Sequence, residues 1–376
     1  MAEILGANDI ASLALPAGID GGIVAEWNMR EGRPFGQFVN DLSLALSDFN
    51  SELVRRWGWV YSVSQEPALE YDEGATVTPT PEITELDDIV SVAGELNGHM
   101  LPLKLYGEGV GGSWKYFQRT REAKVRTDLS TKVNRLKWRF ERNLFTRLMT
   151  NTENAIGSGY DVPFAKASGS VSYTPPAYGG QSFDSTHNHF LGVDSDTLGF
   201  DDMLDQMAEH LEEHGHEAPF TAYVSRADVA AGSYKALTNF VQYVSPVINV
   251  VDRGGATSGN RFFTQGTPMV ADGGIIGHYQ SDFGLIEIRS TNRLTTGYAW
   301  MGKSYGETDS RNPLVVRVAE EGFGAYLVVE TSDNNQWPVK RVAVVMEHGV
   351  GVGSDRTNGV VALLVSGGAF ANPTIG

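Results

Sequence analysis

Residues 113–156 read SWKYFQRTREAKVRTDLSTKVNRLKWRFERNLFTRLMTNTENAI, a run with neither glycine nor proline in a chain of 376 residues that carries 43 glycines. Val125, Leu129, Val133, Leu136, Phe140, Leu144 and Leu148 recur in it at three- or four-residue steps, the period of one helix face. If about 30 of these residues are helical, the rod is ~45 Å long. Lys115, Arg119, Arg121, Lys124, Arg126, Lys132, Arg135, Lys137, Arg139, Arg142 and Arg147 occupy its other faces, against the acids Glu122, Asp128 and Glu141.

Upstream, Phe38, Leu42, Ala45, Leu46, Phe49, Leu53 and Trp57 predict a helix over about Gln37–Trp57, behind an arm rich in glycine and proline. The period then changes to two. Trp57, Trp59, Tyr61 and Val63 alternate with other residues, predicting a strand through about Tyr71, and His99–Tyr106 reads as its return partner, with Pro102 suited to an edge. Between Glu66 and Glu95 lie nine acids (Glu66, Glu70, Asp72, Glu73, Glu82, Glu85, Asp87, Asp88 and Glu95) and no Lys or Arg. This is a long acidic hairpin with few core residues of its own, and an isolated two-stranded hairpin is marginal in water.

Downstream, residues 157–194 are loop-like, and a helix is expected over about Thr197–His214, capped by Asp194, Ser195 or Asp196 and closed by Gly215. A short buried strand at Ala222–Val224, a helix near Ser225–Phe240 and strands at Gly284–Arg289, Pro313–Ala319, Ala325–Thr331, Val339–Glu347 and Gly359–Val365 complete an α+β reading.

Composition narrows the function. The formal charge is −17, from 29 basic and 46 acidic residues, which disfavours a sequence-reading nucleic-acid binder. There is no cysteine, so disulfides, thiolate metal sites and thiol catalysis are excluded. No apolar run approaches the ~20 residues of a membrane span, and MAEILGANDI has no signal-peptide pattern; a soluble protein is expected.

Five of eight histidines fall between His187 and His216. His210 and His214 are one helical turn apart, at metal-ligand spacing, but Leu211 stands where a zincin requires Glu. Capping or packing is the plainer role; a metal-dependent hydrolase using His187, His189, His210 and His214 is the enzymatic alternative. Gly349-Val350-Gly351-Val352-Gly353 follows a strand without a helix after it, so it reads as a turn or bulge rather than a phosphate cradle. No cofactor or resident metal is expected.

The basic helix has three readings: a solvated face, a nucleic-acid contact, or a docking face for an acidic partner. Setting its eleven basic and three acidic residues aside leaves 18 basic against 43 acidic in the rest of the chain. That asymmetry favours docking of the acidic hairpin of another copy, with Glu70, Asp72, Glu73, Glu82, Glu85, Asp87 and Asp88 on one side and Arg126, Lys132, Arg135, Arg139 and Arg142 on the other.

The order of arm, helix, long two-stranded loop, long helix, compact α+β unit and strands resembles the major capsid protein of tailed bacteriophages, a fold shared with encapsulin shells. Five stretches resemble actinobacterial phage head proteins: Gly98–Leu103 (GHMLPL), Thr150–Gly159 (TNTENAIGSG), Asp184–Phe190 (DSTHNHF), His214-Gly215-His216, and Gly349–Val361 (GVGVGSDRTNGVV). The resemblance implies an N-terminal arm and helix (1–56), an extended loop (57–112), a peripheral domain with a spine helix (113–194 and 295–354) and an axial domain (195–294 and 355–376). It also implies pentamers and hexamers of the chain in an icosahedral shell around double-stranded DNA held without sequence-specific binding. Further expectations are a portal, a separate scaffolding protein (only about 36 residues precede the first helix), a possible cement protein, no membrane partner and no catalytic residues. The expected location is the virion, assembled in the host bacterial cytoplasm. An encapsulin-like compartment is the second structural reading.

Overall fold

A computed structural model describes residues 35–72, 96–153, 162–169, 172–179, 181–184, 186–234, 237–242, 248–250, 263–265, 273–319, 323–330 and 339–375. The expected arm, the hairpin tip and its acids Glu73, Glu82, Glu85, Asp87 and Asp88 lie outside the described residues.

The first half comprises α1 (Phe35–Trp57), β1 (Tyr61–Ser64), β2 (Ala68–Asp72), β3 (Leu96–Met100), β4 (Lys104–Ser113), α2 (Trp114–Arg119), α3 (Glu122–Met149) and β5 (Phe190–Asp194). Then come α4 (Phe200–Glu212), β6 (Phe220–Ser225), α5 (Arg226–Ala231), β7 (Phe240–Gln242), β8 (Ile248–Val250), β9 (Phe263–Gln265), β10 (Ile275–Ser281) and β11 (Gly284–Thr291). The chain finishes with β12 (Tyr298–Gly302), β13 (Leu314–Val318), β14 (Ala325–Glu330), β15 (Val339–Val352) and β16 (Val360–Val365).

The glycine-free run forms α2 and α3, broken at Thr120–Arg121, where Ser113 caps α2 by accepting from Tyr116 N and both Thr120 and Arg121 are extended. At 28 residues, α3 is ~42 Å long. Val125, Leu129, Leu136, Phe140, Leu144 and Leu148 are buried as expected, and Val133 is partly buried beside them. Each fully buried apolar side chain is worth about 1.5–3 kcal/mol, so this stripe, not helix propensity, holds the rod in place. It packs on a five-stranded sheet whose centre is β15. One edge of β15 pairs antiparallel with β4; the other pairs with β14 and then β13, and β13 pairs parallel with β1. With 14 residues, β15 spans ~46 Å, close to the length of α3.

The seven-stranded sheet runs β5-β16-β12-β6-β11-β10-β7. Its strands alternate between two cores. Phe220, Ala222, Val224, Ile286, Ile288, Ala299, Met301, Val360 and Ala362 face Met203, Leu204, Met207 and Leu211 of α4. Tyr223, Tyr298, Trp300, Val361 and Leu363 face the α1–α3 core. A strand buried on both faces reads as a continuous apolar run, which is why Phe220–Ser225 is buried at every position. Because β5 and β12 belong to this sheet, the cuts expected at 195 and 294 run through it.

Several local expectations need correction. The strand expected from Trp57 to Tyr71 is three pieces. Trp57 ends α1, with Gly58 N donating to Val54 O at 2.6 Å, and is fully buried. β1 joins the main sheet, whereas β2 pairs with β3, Ala68 opposite Met100. Pro102 lies between β3 and β4 rather than on an edge strand. The helix expected to reach Phe240 stops at Ala231, since Gly232 takes a left-handed φ of +89°. The N-cap of α4 is Gly199, whose N–H donates to Asp202 Oδ2 at 2.7 Å, not the expected Asp194–Asp196 group; Gly215 has φ +82° as expected after its end. Gly349 and Gly351 are neither turn nor bulge but continue β15. A Cβ at Gly349 would stand 2.3 Å from Pro102 O, and one at Gly351 2.3 Å from Leu101 Cδ2. These glycines admit the base of the loop.

Glu141, on α3, is fully buried. Its Oε2 accepts from Arg293 Nη2 at 2.6 Å and Nε at 3.0 Å, its Oε1 accepts from Trp57 Nε1 at 3.1 Å, and Arg56 Nη1 lies 3.6 Å away. Removing one partner of a buried ion pair costs about 3–5 kcal/mol. Glu141→Ala is therefore expected to lower unfolding stability by that order in urea titration, and Glu141→Gln by less, because the amide oxygen still accepts.

Candidate functional site: an assembly surface and a histidine cluster

The loop leaves the body between β1 and β4. Its described arms, β2 and β3, form a separate two-stranded sheet. Met100 at the end of β3, exposed by 51%, and Leu105 at the start of β4, exposed by 63%, present apolar side chains to solvent. Glu70 is exposed on β2; Asp72 is on the same strand. The ends of the loop are tied to their own chain: Leu101 is buried, its N–H donates to Pro67 O at 2.8 Å and its carbonyl accepts from Arg317 Nη1 at 2.7 Å. The expectation that all of 57–112 takes its burial from sister copies is thus corrected at the ends, where Trp57, Tyr61 and Val110 enter the main core.

The basic face of α3 is partly used within the chain, much of it by β4. Lys132 Nζ donates to Gly109 O, Arg135 Nη1 lies 3.5 Å from Glu108 Oε1, and the Arg139 guanidinium sits 5.5 Å from the Tyr106 ring centroid. Arg126 pairs with Glu122 at 2.6 Å and Asp41 at 3.0 Å, joining α3 to α1. Arg142 stands 5.7 Å from the Trp138 ring. The long charge-poor stretch of β4, with Gly107, Gly109, Gly111 and Gly112, gave no sequence signal that it would lie beside these cations.

At the loop base, His348 is buried beside Tyr106 and Phe140 and sits 3.0 Å from Asn143 Nδ2. Burial, with Arg139 nearby, lowers its pKa to about 4; burial, with Arg356 and Arg147, does the same for His99.

The second feature is a cluster of imidazoles. Asp184 accepts from Thr186 N at 2.8 Å and Thr186 Oγ1 at 2.6 Å, a turn that presents His187. His189 is held by backbone bonds from its N–H to Ala165 O and from Val361 N to its carbonyl. α4 and the left-handed Gly215 bring His214 to the same point. His187 Nε2 lies 2.9 Å, and His189 Nε2 3.0 Å, from His214 Nε2. His189 Nδ1 donates to Gly359 O at 2.9 Å, so its Nε2 carries a lone pair. His210 is stacked on His187, the rings 4.8 Å apart and 5° from parallel, and Phe183 covers His187 and His214. Burial lowers all four: His210 to about 4, His214 to about 2, His187 downward and His189 far down, with mutual repulsion adding to it in His189, His210 and His214. Of the four histidines singled out in sequence, His187, His189 and His214 converge as a triad, with His210 as its wall. His216 lies apart, 3.0 Å from Thr357 Oγ1 and 3.5 Å from Asp355 Oδ2.

No protein-family model and no curated protein matches this chain. Among solved structures, one titled Mycobacterium phage Patience aligns at a TM-score of 0.58 and 17% identity, covering 96% of this chain and 97% of that one. The capsid of cyanophage P-SCSP1u aligns at 0.46 and 9% identity, over 81% and 86%. The SrpI encapsulin complex of Synechococcus elongatus PCC 7942 aligns at 0.41 and 11%, over 81% and 85%. The first likeness, nearly end to end, is one of fold: the chain is an α+β protein with the tailed-phage capsid fold. That structure is titled as a mycobacteriophage. Among the described residues, no helix is long and apolar enough to cross a membrane.

The loop base generates a pH prediction. His99 and His348 have folded pKa values of about 4, below the unfolded ~6.5. The unfolded chain therefore binds more protons between these values, so stability is complete above about pH 6.5 and falls as pH drops toward 4. Each histidine adds up to roughly 1.4 kcal/mol per pH unit. Urea midpoints at pH 7, 6 and 5 are expected to fall progressively, and His348→Gln is expected to flatten the slope.

Proposed function

We propose that the chain is a major capsid protein, a structural subunit that assembles with copies of itself into an icosahedral phage head enclosing double-stranded DNA, as pentamers and hexamers in the virion. The observation that carries this reading is the β2–β3 pair: a two-stranded sheet on its own, with Met100 exposed on it. A two-stranded ladder is marginal by itself, so it gains stability by lying on a neighbour, and a symmetric shell supplies the same neighbour to every copy. The five-stranded sheet with α3 takes the place of the peripheral domain, and the seven-stranded sheet with α4 that of the axial domain. The role is structural rather than catalytic. The net charge of −17 suits an inner wall that leaves packaged DNA mobile. Assembly in the host cytoplasm around a separate scaffolding protein, with a portal at one vertex and a cement protein outside, completes the reading.

The contact we assign to assembly is the acidic loop, from Glu70 and Asp72 through Asp88, against the outer basic side chains of α3 in the next subunit. Arg135 is 67% exposed even while it faces Glu108, and a single exposed pair is worth about 0–1 kcal/mol. Charge reversal of Arg135 and Arg139 together is therefore expected to leave circular dichroism and the melting midpoint near wild type while abolishing shells in electron micrographs. Normal shells from the double variant overturn the docking contact. Wild-type chain that stays monomeric with its scaffold overturns the capsid reading, and shells that copurify with an enzyme cargo instead of DNA identify a compartment.

A further inference from the structure

We propose that His187, His189 and His214 bind one divalent transition-metal ion of the zinc class through their Nε2 atoms, stapling the segment before β5 to the end of α4. The three nitrogens all lie within 4.8 Å of one another, and two of the three separations are 2.9 and 3.0 Å. At Zn–N distances of about 2.0–2.1 Å, a tetrahedral site needs nitrogens about 3.3–3.4 Å apart, so the two short separations must open by a few tenths of an ångström and the third, within 4.8 Å, must settle near the same value. The inference is independent of shell formation.

Proton accounting points the same way. His189 Nδ1 donates to the Gly359 carbonyl, which leaves His189 Nε2 an acceptor. His214 Nε2 faces two other Nε2 atoms at hydrogen-bond distance, and with His189 Nε2 an acceptor no neutral tautomer of His187 and His214 makes both contacts full hydrogen bonds: two lone pairs meet, two N–H groups meet, or one proton is shared between two acceptors. A cation satisfies all three lone pairs at once. The Nδ1 bond of His189 to a backbone carbonyl is the outer-shell contact that orients metal-ligating imidazoles. His210 stacked on His187, and Phe183 against His187 and His214, hold the rings. The imidazoles are neutral at physiological pH because burial disfavours their charge. An all-nitrogen set with no carboxylate selects a borderline ion over magnesium or calcium. Water takes the fourth position.

The ion would fasten three elements that sequence places far apart: His187 and His189 ahead of β5, His214 after α4, and, through the Gly359 carbonyl, the start of β16. The test uses the untagged full-length chain, stripped with EDTA and then titrated with zinc chloride. The expected result is one equivalent retained through desalting and a melting midpoint raised by several degrees. Affinity should fall at least tenfold in His187→Gln and in His214→Gln and stay unchanged in His278→Gln, whose histidine is on β10. Cobalt(II) in the wild type is expected to give the intense visible bands of a tetrahedral site, which keeps the test decisive if a variant does not fold. Less than about a tenth of an equivalent of zinc in the wild type, equal binding by folded His187→Gln, or an octahedral cobalt spectrum overturns the proposal.

Discussion

The Glu141 carboxylate is the point on which the body of the molecule is built. A bare buried carboxylate is too costly to keep ionised, and this one is matched by the Arg293 guanidinium, the Trp57 indole and Arg56. Those partners come from the end of α1 and from the turn after β11, so one charge fixes the first helix and the seven-stranded sheet on the spine helix. Trp57 then sits 5.1 Å from Phe145 and 5.7 Å from Tyr223, and the aromatic contacts continue through Tyr223 to Trp300. The polar hub sets the register of the helices, and the aromatic layer around it supplies the apolar burial.

From that anchored rod the rest of the five-stranded sheet follows. α3 and β15 are nearly equal in length and pack on each other, and β4 is laid along one edge of β15. The cations of α3 are then divided. Lys132, Arg135 and Arg139 contact the returning arm of the loop in their own chain, while Arg135 keeps most of its surface in solvent. Gly349 and Gly351 belong to the same device: they clear the space into which Leu101 and Pro102 settle, and so fix the angle at which the loop departs.

The histidine triad lies beside β5, an edge strand of the seven-stranded sheet. Where α1, α3 and β11 are joined by an ion pair in the core, the segment before β5 and the end of α4 are joined by three neutral imidazoles. Both junctions connect pieces of chain remote in sequence, and both place polar nitrogen or oxygen where hydrophobic contact alone would leave orientation loose.

The sequence by itself determined the rods and the strands, because helix and strand periods are local properties of apolar spacing. The spine stripe from Val125 to Leu148, the helix that became α4 and the late strands were all legible in it, and the ordered motifs pointed to the capsid fold. The two-residue alternation from Trp57 to Val63 misled, because it runs across a helix end and a chain turn that only packing distinguishes. Glu141 counted as one more acid on a polar face until Arg293, 152 positions later, was seen against it. The sequence named four candidate histidines but not which nitrogens converge, since His187 and His189 reach His214 through a turn whose path no local period encodes. Tertiary structure alone decided which charges are buried, which glycines are close approaches and which nitrogens converge, because each depends on distances between segments that are far apart along the chain.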